Sequence, residues 1–199
     1  MQNKNNNQRG FTIIETMIAV SLFVVVVMSG MAALLNANLI QQKSQSMRSI
    51  IDNMSFILED ISRNLRTGTD VECFQKVTET AITISGNAHS CSDGWAIAFE
   101  SADGHHNNTD QWVYYISDDG KIFKSVEKAA AGSFIQLTPE EVVIDIASSG
   151  FSVLGAEQLS SGDEQQPFST IRLVGNITFK DVVTPFSLQT SVSQRGIDR

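Results

Sequence analysis

Glu15 is the residue whose setting most calls for a chemical explanation. It stands at the leading edge of an apolar run: Thr16 to Gln42 holds no charged side chain, and Met17 to Leu35 is almost wholly apolar. A charge at the centre of a membrane helix costs about 2.5–3.5 kcal/mol even on insertion scales, so an acid in such a place needs a partner or a function. Pairing with a positive group is the chemistry open to it. Cys73 and Cys91 form a second candidate pair; two cysteines are too few for a disulfide scaffold and have no metal-ligand spacing.

The remaining polar clusters carry less. His105 and His106 sit in Asp103-Gly104-His105-His106-Asn107-Asn108-Thr109-Asp110. Neighbouring side chains on an extended segment point to opposite sides, which makes a poor chelate. Asp103, Asn107, Asn108 and Asp110 offer oxygens to calcium, but the EF-hand pattern with its central glycine and terminal glutamate is absent. The stretch reads as a solvated loop. Asn107-Asn108-Thr109 has the spacing of a glycan acceptor, which matters only in a glycosylating host. Glu59-Asp60, Asp118-Asp119 and Glu140-Glu141 read as solvated neighbours, not as facing carboxylates. No Gly-x-Ser-x-Gly, phosphate-binding loop or His-Glu-x-x-His occurs. The sequence predicts no enzyme, no metal and no cofactor.

The elements that hold these residues follow from periodicity. The apolar run has the roughly 20 residues that a bilayer-spanning helix needs, and residues 16–36 are the expected span. From Asn36 the pattern turns amphipathic without a stop. Ile50, Met54, Ile57, Ile61 and Leu65 recur at helical spacing, while Lys43, Arg48, Asp52, Glu59, Asp60, Arg63 and Arg66 fill the other face. Thr67-Gly68-Thr69 is the stop, with Gly68 suited to the position after a helix end. One helix from Phe11 to about Arg66 would run roughly 80 Å at 1.5 Å per residue. Ser29-Gly30 is its one weak point for a kink.

Beyond Gly68 the period becomes that of strands: Thr80–Ser85, Trp95–Glu100, Gln111–Ser117, Lys121–Val126, Val142–Ile146, Phe151–Leu154, Ser169–Phe179 and Pro185–Ser193. Asp119-Gly120 between two such runs is a hairpin signal. Trp95, Trp112, Tyr114 and Tyr115 read as core or sheet-face residues, and Ser160–Gln166 as an exposed loop. Strands after one long helix predict an α+β fold, the helix packed on an antiparallel sheet. The expected organisation is therefore 1–10 leader, 11–66 helix and 67–199 β-rich domain.

The formal net charge is −8, and loss of Lys4 and Arg9 with a leader would take it to −10. An acidic balance argues against nucleic-acid binding, which wants a basic face. Met1–Gly10 is Asn- and Gln-rich and basic, without an apolar face. Lys4 and Arg9 would stay inside, so the rest of the chain projects outward.

Arg9-Gly10-Phe11-Thr12-Ile13-Ile14-Glu15-Thr16-Met17 resembles the class III signal of type IV pilins and type II secretion pseudopilins. The resemblance covers the first quarter of the chain. It implies cleavage by a prepilin peptidase after Gly10, methylation of the new amino terminus at Phe11, and a role in assembly for Glu15, paired with a neighbouring subunit's amine. It also implies an inner-membrane subunit with one span and an extracytoplasmic domain, which an inner-membrane assembly platform and an ATPase pass into a fibre of like subunits. In that oxidising space Cys73 and Cys91 would be bridged. Thr138–Ile144 and Leu188–Arg195 loosely resemble minor pilin and J-type pseudopilin C-termini. Many major pilins carry a proline midway along the apolar helix, and none occurs here. The expected function is that of a minor fibre subunit; the alternatives are an adhesin or DNA-uptake module and, third, a signal-anchored enzyme. Type IV pilus and type II secretion machines read the same N-terminal chemistry, so the sequence leaves that choice open.

Overall fold

The computed structural model describes residues 10–76, 81–102, 110–157, 162, 165–179 and 182–195. The calcium and glycan readings at 103–109 fall outside them. The chain forms two compact units, one ending at Gln45 and the other running from Ser46 to Arg199. A single helix, α1 (Ile13–Thr67), supplies residues to both.

Helix α1 begins two residues later than the sequence suggested because Thr12 caps it. The Thr12 hydroxyl accepts the Glu15 N–H at 3.3 Å, and its carbonyl accepts the N–H of Glu15 and Thr16 at 3.1 and 3.2 Å. This satisfies donors that a helix start leaves open. The helix continues unbroken through Ser29-Gly30.

In the second unit, α1 buries Ile50, Met54, Ile57, Leu58, Ile61 and Leu65. That is the expected stripe widened by Leu58, which sits beside Ile57 and Ile61 on the same face. The helix packs on an antiparallel sheet of nine strands among the described residues: β1 (Thr69–Gln75), β2 (Cys91–Glu100), β3 (Trp112–Ile116), β4 (Ile122–Ser125), β5 (Ile135–Gln136), β6 (Val142–Ile144), β7 (Gly150–Leu154), β8 (Phe168–Phe179) and β9 (Val182–Ser193). Two strands organise it: β2 pairs with β1, β3 and β7, and β8 pairs with β6, β7 and β9.

Alternation in the strands divides the core into two layers. Ile97, Phe99, Tyr114, Phe151, Ile171 and Leu173 join the helix residues in the larger cluster. Phe74, Ala96, Ala98 and Val113 form a second cluster, covered by Ile82, Ile84 and Phe134 from loops. The Asp118-Asp119-Gly120 turn joins β3 to β4 as expected, with Gly120 at φ +70°. Only glycine fits there, since a Cβ would lie 2.5 Å from the Ile144 carbonyl oxygen.

Two readings are corrected. The first strand is Thr69–Gln75, and residues 81–85 of the expected Thr80–Ser85 strand form no ladder. Ile82 and Ile84 do face the core, so the alternation was real, but the backbone has other partners. The buried Glu72 carboxylate accepts the N–H groups of Ser85 (2.9 Å) and Gly86 (2.6 Å) and holds the segment as a loop. Gly68, in turn, is required by close approach and not by a left-handed backbone. A Cβ there would lie 2.6 Å from Phe99 Cδ2 and 2.8 Å from the Glu100 carbonyl.

Candidate functional site

The N-terminal unit presents the residues singled out for processing and assembly. Gly10 and Phe11 precede the cap, and Phe11 is 80% exposed. Thr12-Ile13-Ile14-Glu15 has the spacing of a capping box, which places Glu15 in the first helical turn. A carboxylate there meets the positive end of the helix dipole. Past it, Met17, Val20, Phe23, Val26 and Leu34 are exposed. Thr16 and Ser21 turn their hydroxyls back to the carbonyls of Ile13 (2.8 Å) and Ile18 (2.9 Å), so they present little free polarity. The helix is long and apolar enough to cross a membrane.

The second unit holds the cysteines and a polar cluster that the sequence reading missed. Cys73 lies in β1 and Cys91 opens β2, where they form a disulfide with Cα atoms 5.5 Å apart. Gly94 makes room for the bridge, since a Cβ would lie 2.7 Å from Cys73 Sγ.

Asp60 was read as a solvated acid and is not one. Its carboxylate accepts from Tyr114 Oη (2.9 Å), Lys124 Nζ (2.9 Å) and Asn64 Nδ2 (3.1 Å). Lys124 Nζ also lies 4.1 Å from the centre of the Trp112 ring. Burial works against the Asp60 charge, but the Lys124 ammonium and the Tyr114 hydroxyl outweigh it and hold the carboxyl below its ordinary range. Burial, with Asp60 beside it, pushes the Tyr114 phenol up. The signal was available: Asp60 and Asn64 are three and seven residues past Ile57, on the border of the buried stripe. Its partners on β3 and β4 were not legible, because they come from the fold.

Comparison with known proteins bears on the first unit alone. Residues 5–31 match the prokaryotic N-terminal methylation motif. The motif supports a type IV pilin-like prepilin. The motif marks the chain for processing by a prepilin peptidase, and with one long apolar helix it points to membrane anchoring and to a structural role. Comparison with curated proteins and with solved structures gave no match.

Proposed function

We propose that the chain is a minor subunit of a type IV pilus or type II secretion pseudopilus. The peptidase cuts after Gly10, Phe11 becomes the methylated terminus, residues 11–66 form the assembling helix and residues 67–199 the β-rich domain. Before assembly the subunit is held in the inner membrane by residues 16–36, with its domain outside. The observation that carries this reading is the methylation motif running into an exposed apolar helix with one acid in its first turn. Glu15 pairs with the Phe11 amine of a neighbouring subunit and so fixes the axial register, because a buried charge stripped of its partner costs about 3–5 kcal/mol.

The test is the N-terminal sequence and mass of the protein from the membrane fraction. A start at Phe11 carrying one added methyl is expected. An intact Met1 in cells with active peptidase would refute the reading. The Glu15→Ala subunit should be cleaved and inserted but excluded from fibres; normal incorporation would remove Glu15 from the mechanism.

A further inference from the structure

We propose that β9 pairs edge to edge with β9 of a second copy, as antiparallel strands related by a twofold axis at Gln189. β9 has one neighbour in the sheet, β8, joined to it through twelve consecutive pairs without a bulge. Among the described residues, its backbone makes no hydrogen bond to the backbone of any other segment. The outward N–H and C=O groups therefore form the alternating row that a further strand satisfies. The whole edge lies within Ser46–Arg199.

Long edges are normally guarded by charge, proline, bulges or shortness, because an open one recruits another chain. β9 keeps few of these guards. Residues 182–194 hold no charged side chain. The one proline, Pro185, lacks an N–H and closes the ladder at one end, which leaves residues 186–193 open. Like charges directly opposite each other destabilise a strand pair. Two copies of a chain with net charge −8 can thus meet here without setting charge against charge.

What a copy can offer decides the occupant. Among the described residues the other margins of the sheet are short or engaged. β5 has two residues, and β6 has three, with its Ile144 N–H already on the Gly120 carbonyl at 2.9 Å. β1 exchanges bonds with His89, whose carbonyl accepts from Cys73 (3.2 Å) and whose N–H donates to Val71 (3.0 Å). An edge as long as β9 finds its match in the same edge of a second copy. Its faces are also self-complementary. Ser187, Gln189 and Ser191 stand exposed on one face; Phe186, Leu188 and Val192 are half-buried on the other, against the larger core cluster. A twofold axis at Gln189 sets Ser187 opposite Ser191, Leu188 opposite Thr190 and Phe186 opposite Val192. Hydroxyls then meet hydroxyls, and an aromatic meets a β-branched side chain, both favourable cross-strand pairs. An axis nearer Pro185 would shorten the ladder, and one at Thr190 would set Phe186 opposite Gln194. The contact is isologous and closes at two copies.

The experiment follows disulfide cross-linking of single-cysteine variants of the full chain in neutral detergent, where the native cysteines are bridged. Directly opposite residues have Cα atoms about 4.5–5.5 Å apart, within reach of a disulfide. Gln189→Cys should therefore cross-link to itself under mild oxidation. Ser187→Cys and Ser191→Cys should each stay single, since the same residue in two copies would lie roughly 13 Å apart along the strands. Mixed together, those two should cross-link to each other. Asp119→Cys, at an exposed turn, gives the rate of chance encounter. Gln189→Lys sets two ammonium groups face to face and should weaken self-association about tenfold, read by sedimentation, with an unchanged unfolding midpoint. Cross-linking of Gln189→Cys no faster than of Asp119→Cys would overturn the proposal, as would self-cross-linking of Ser187→Cys or Ser191→Cys at the same rate. Self-association untouched by Gln189→Lys would assign it to the N-terminal helix and refute the strand pair. In membranes, cross-linking of Gln189→Cys to another protein in place of its own copy would refute it too. None of these outcomes touches the processing of the N-terminus, which stands or falls on its own test.

Discussion

Removing the Asp60 carboxylate should expose how firmly the helix is tied to the sheet. Asp60→Ala deletes the acceptor of three hydrogen bonds, from Tyr114, Lys124 and Asn64. A hydrogen bond to a charged group is worth about 1.5–3 kcal/mol. The three share one carboxylate whose side chain keeps 31% exposure, so solvent screening lowers their sum. Against that, the substitution strands Lys124, itself 19% exposed, beside two rings without a counter-charge. The net expectation is a loss of about 2–4 kcal/mol. Urea unfolding of the full chain in neutral detergent measures it, because both tryptophans lie in the second unit and report on its melting. Asp60→Asn keeps size and an acceptor and should lose about half as much. In a cycle with Lys124→Met, the coupling should exceed about 1 kcal/mol. A loss below about 0.5 kcal/mol, or no coupling, would refute the assignment. The pH dependence has a definite sign. The folded Asp60 pKa is depressed below 3.8. Its contribution is therefore complete above the ordinary carboxylate range and lost as pH falls through the lower folded value. The gap between wild type and Asp60→Asn should narrow over that acid window and not near neutrality.

Ile61 is fully buried and Phe56 is 71% exposed on the same helix, so Ile61→Ala should cost about 2–5 kcal/mol and Phe56→Ala less than about 0.5 by the same unfolding assay. Gly68→Ala should destabilise by about 1–3 kcal/mol through the clash with Phe99 and the Glu100 carbonyl. Gly30→Ala meets nothing within 4 Å and should leave the unfolding of the second unit unchanged. Reducing the Cys73–Cys91 bridge, which closes a separation of 18 residues, should lower stability by about 3 kcal/mol. The Cys73→Ala, Cys91→Ala double variant should match the reduced protein, as read by denaturation with and without reductant.

The helix and most strands could be read from the sequence because they depend on local period. Ile50 through Leu65 repeat at helical spacing, and Asp119-Gly120 fixes a hairpin whatever surrounds it. The reading failed where a backbone found a partner far along the chain. Thr69–Gln75 carries Asp70 and Glu72, poor strand formers, yet it forms β1 against β2. Residues 81–85 alternate like a strand, yet a buried carboxylate takes N–H groups at the segment's end. Gly10, Phe11 and Glu15 could be proposed from the sequence because they stand in a linear motif, within residues 5–31. The Asp60 cluster could not, because Tyr114 and Lys124 reach it only in the fold.

Magnitudes also limit what Glu15 can be doing alone. As a first-turn residue it gains from the helix dipole, which is worth typically about 0.3–1 kcal/mol. Thr12 contributes a cap, but to the Glu15 backbone and not to its carboxylate. Placing a charge deep in a bilayer costs about 2.5–3.5 kcal/mol, and less towards the interface. Local chemistry therefore leaves a deficit that a second positive group would cover, and cleavage would create one on Phe11. That amine can serve its own chain or the next, and the two cases differ in consequence. Pairing within a chain would stabilise every inserted subunit equally and give no preference for wild type on assembly. Pairing between chains acts once per contact, so co-expressed wild-type and Glu15→Ala subunits should enter fibres in a ratio far from their ratio in the membrane. Equal ratios would leave Glu15 as an ornament of the helix start and transfer the problem of register to the apolar surface itself.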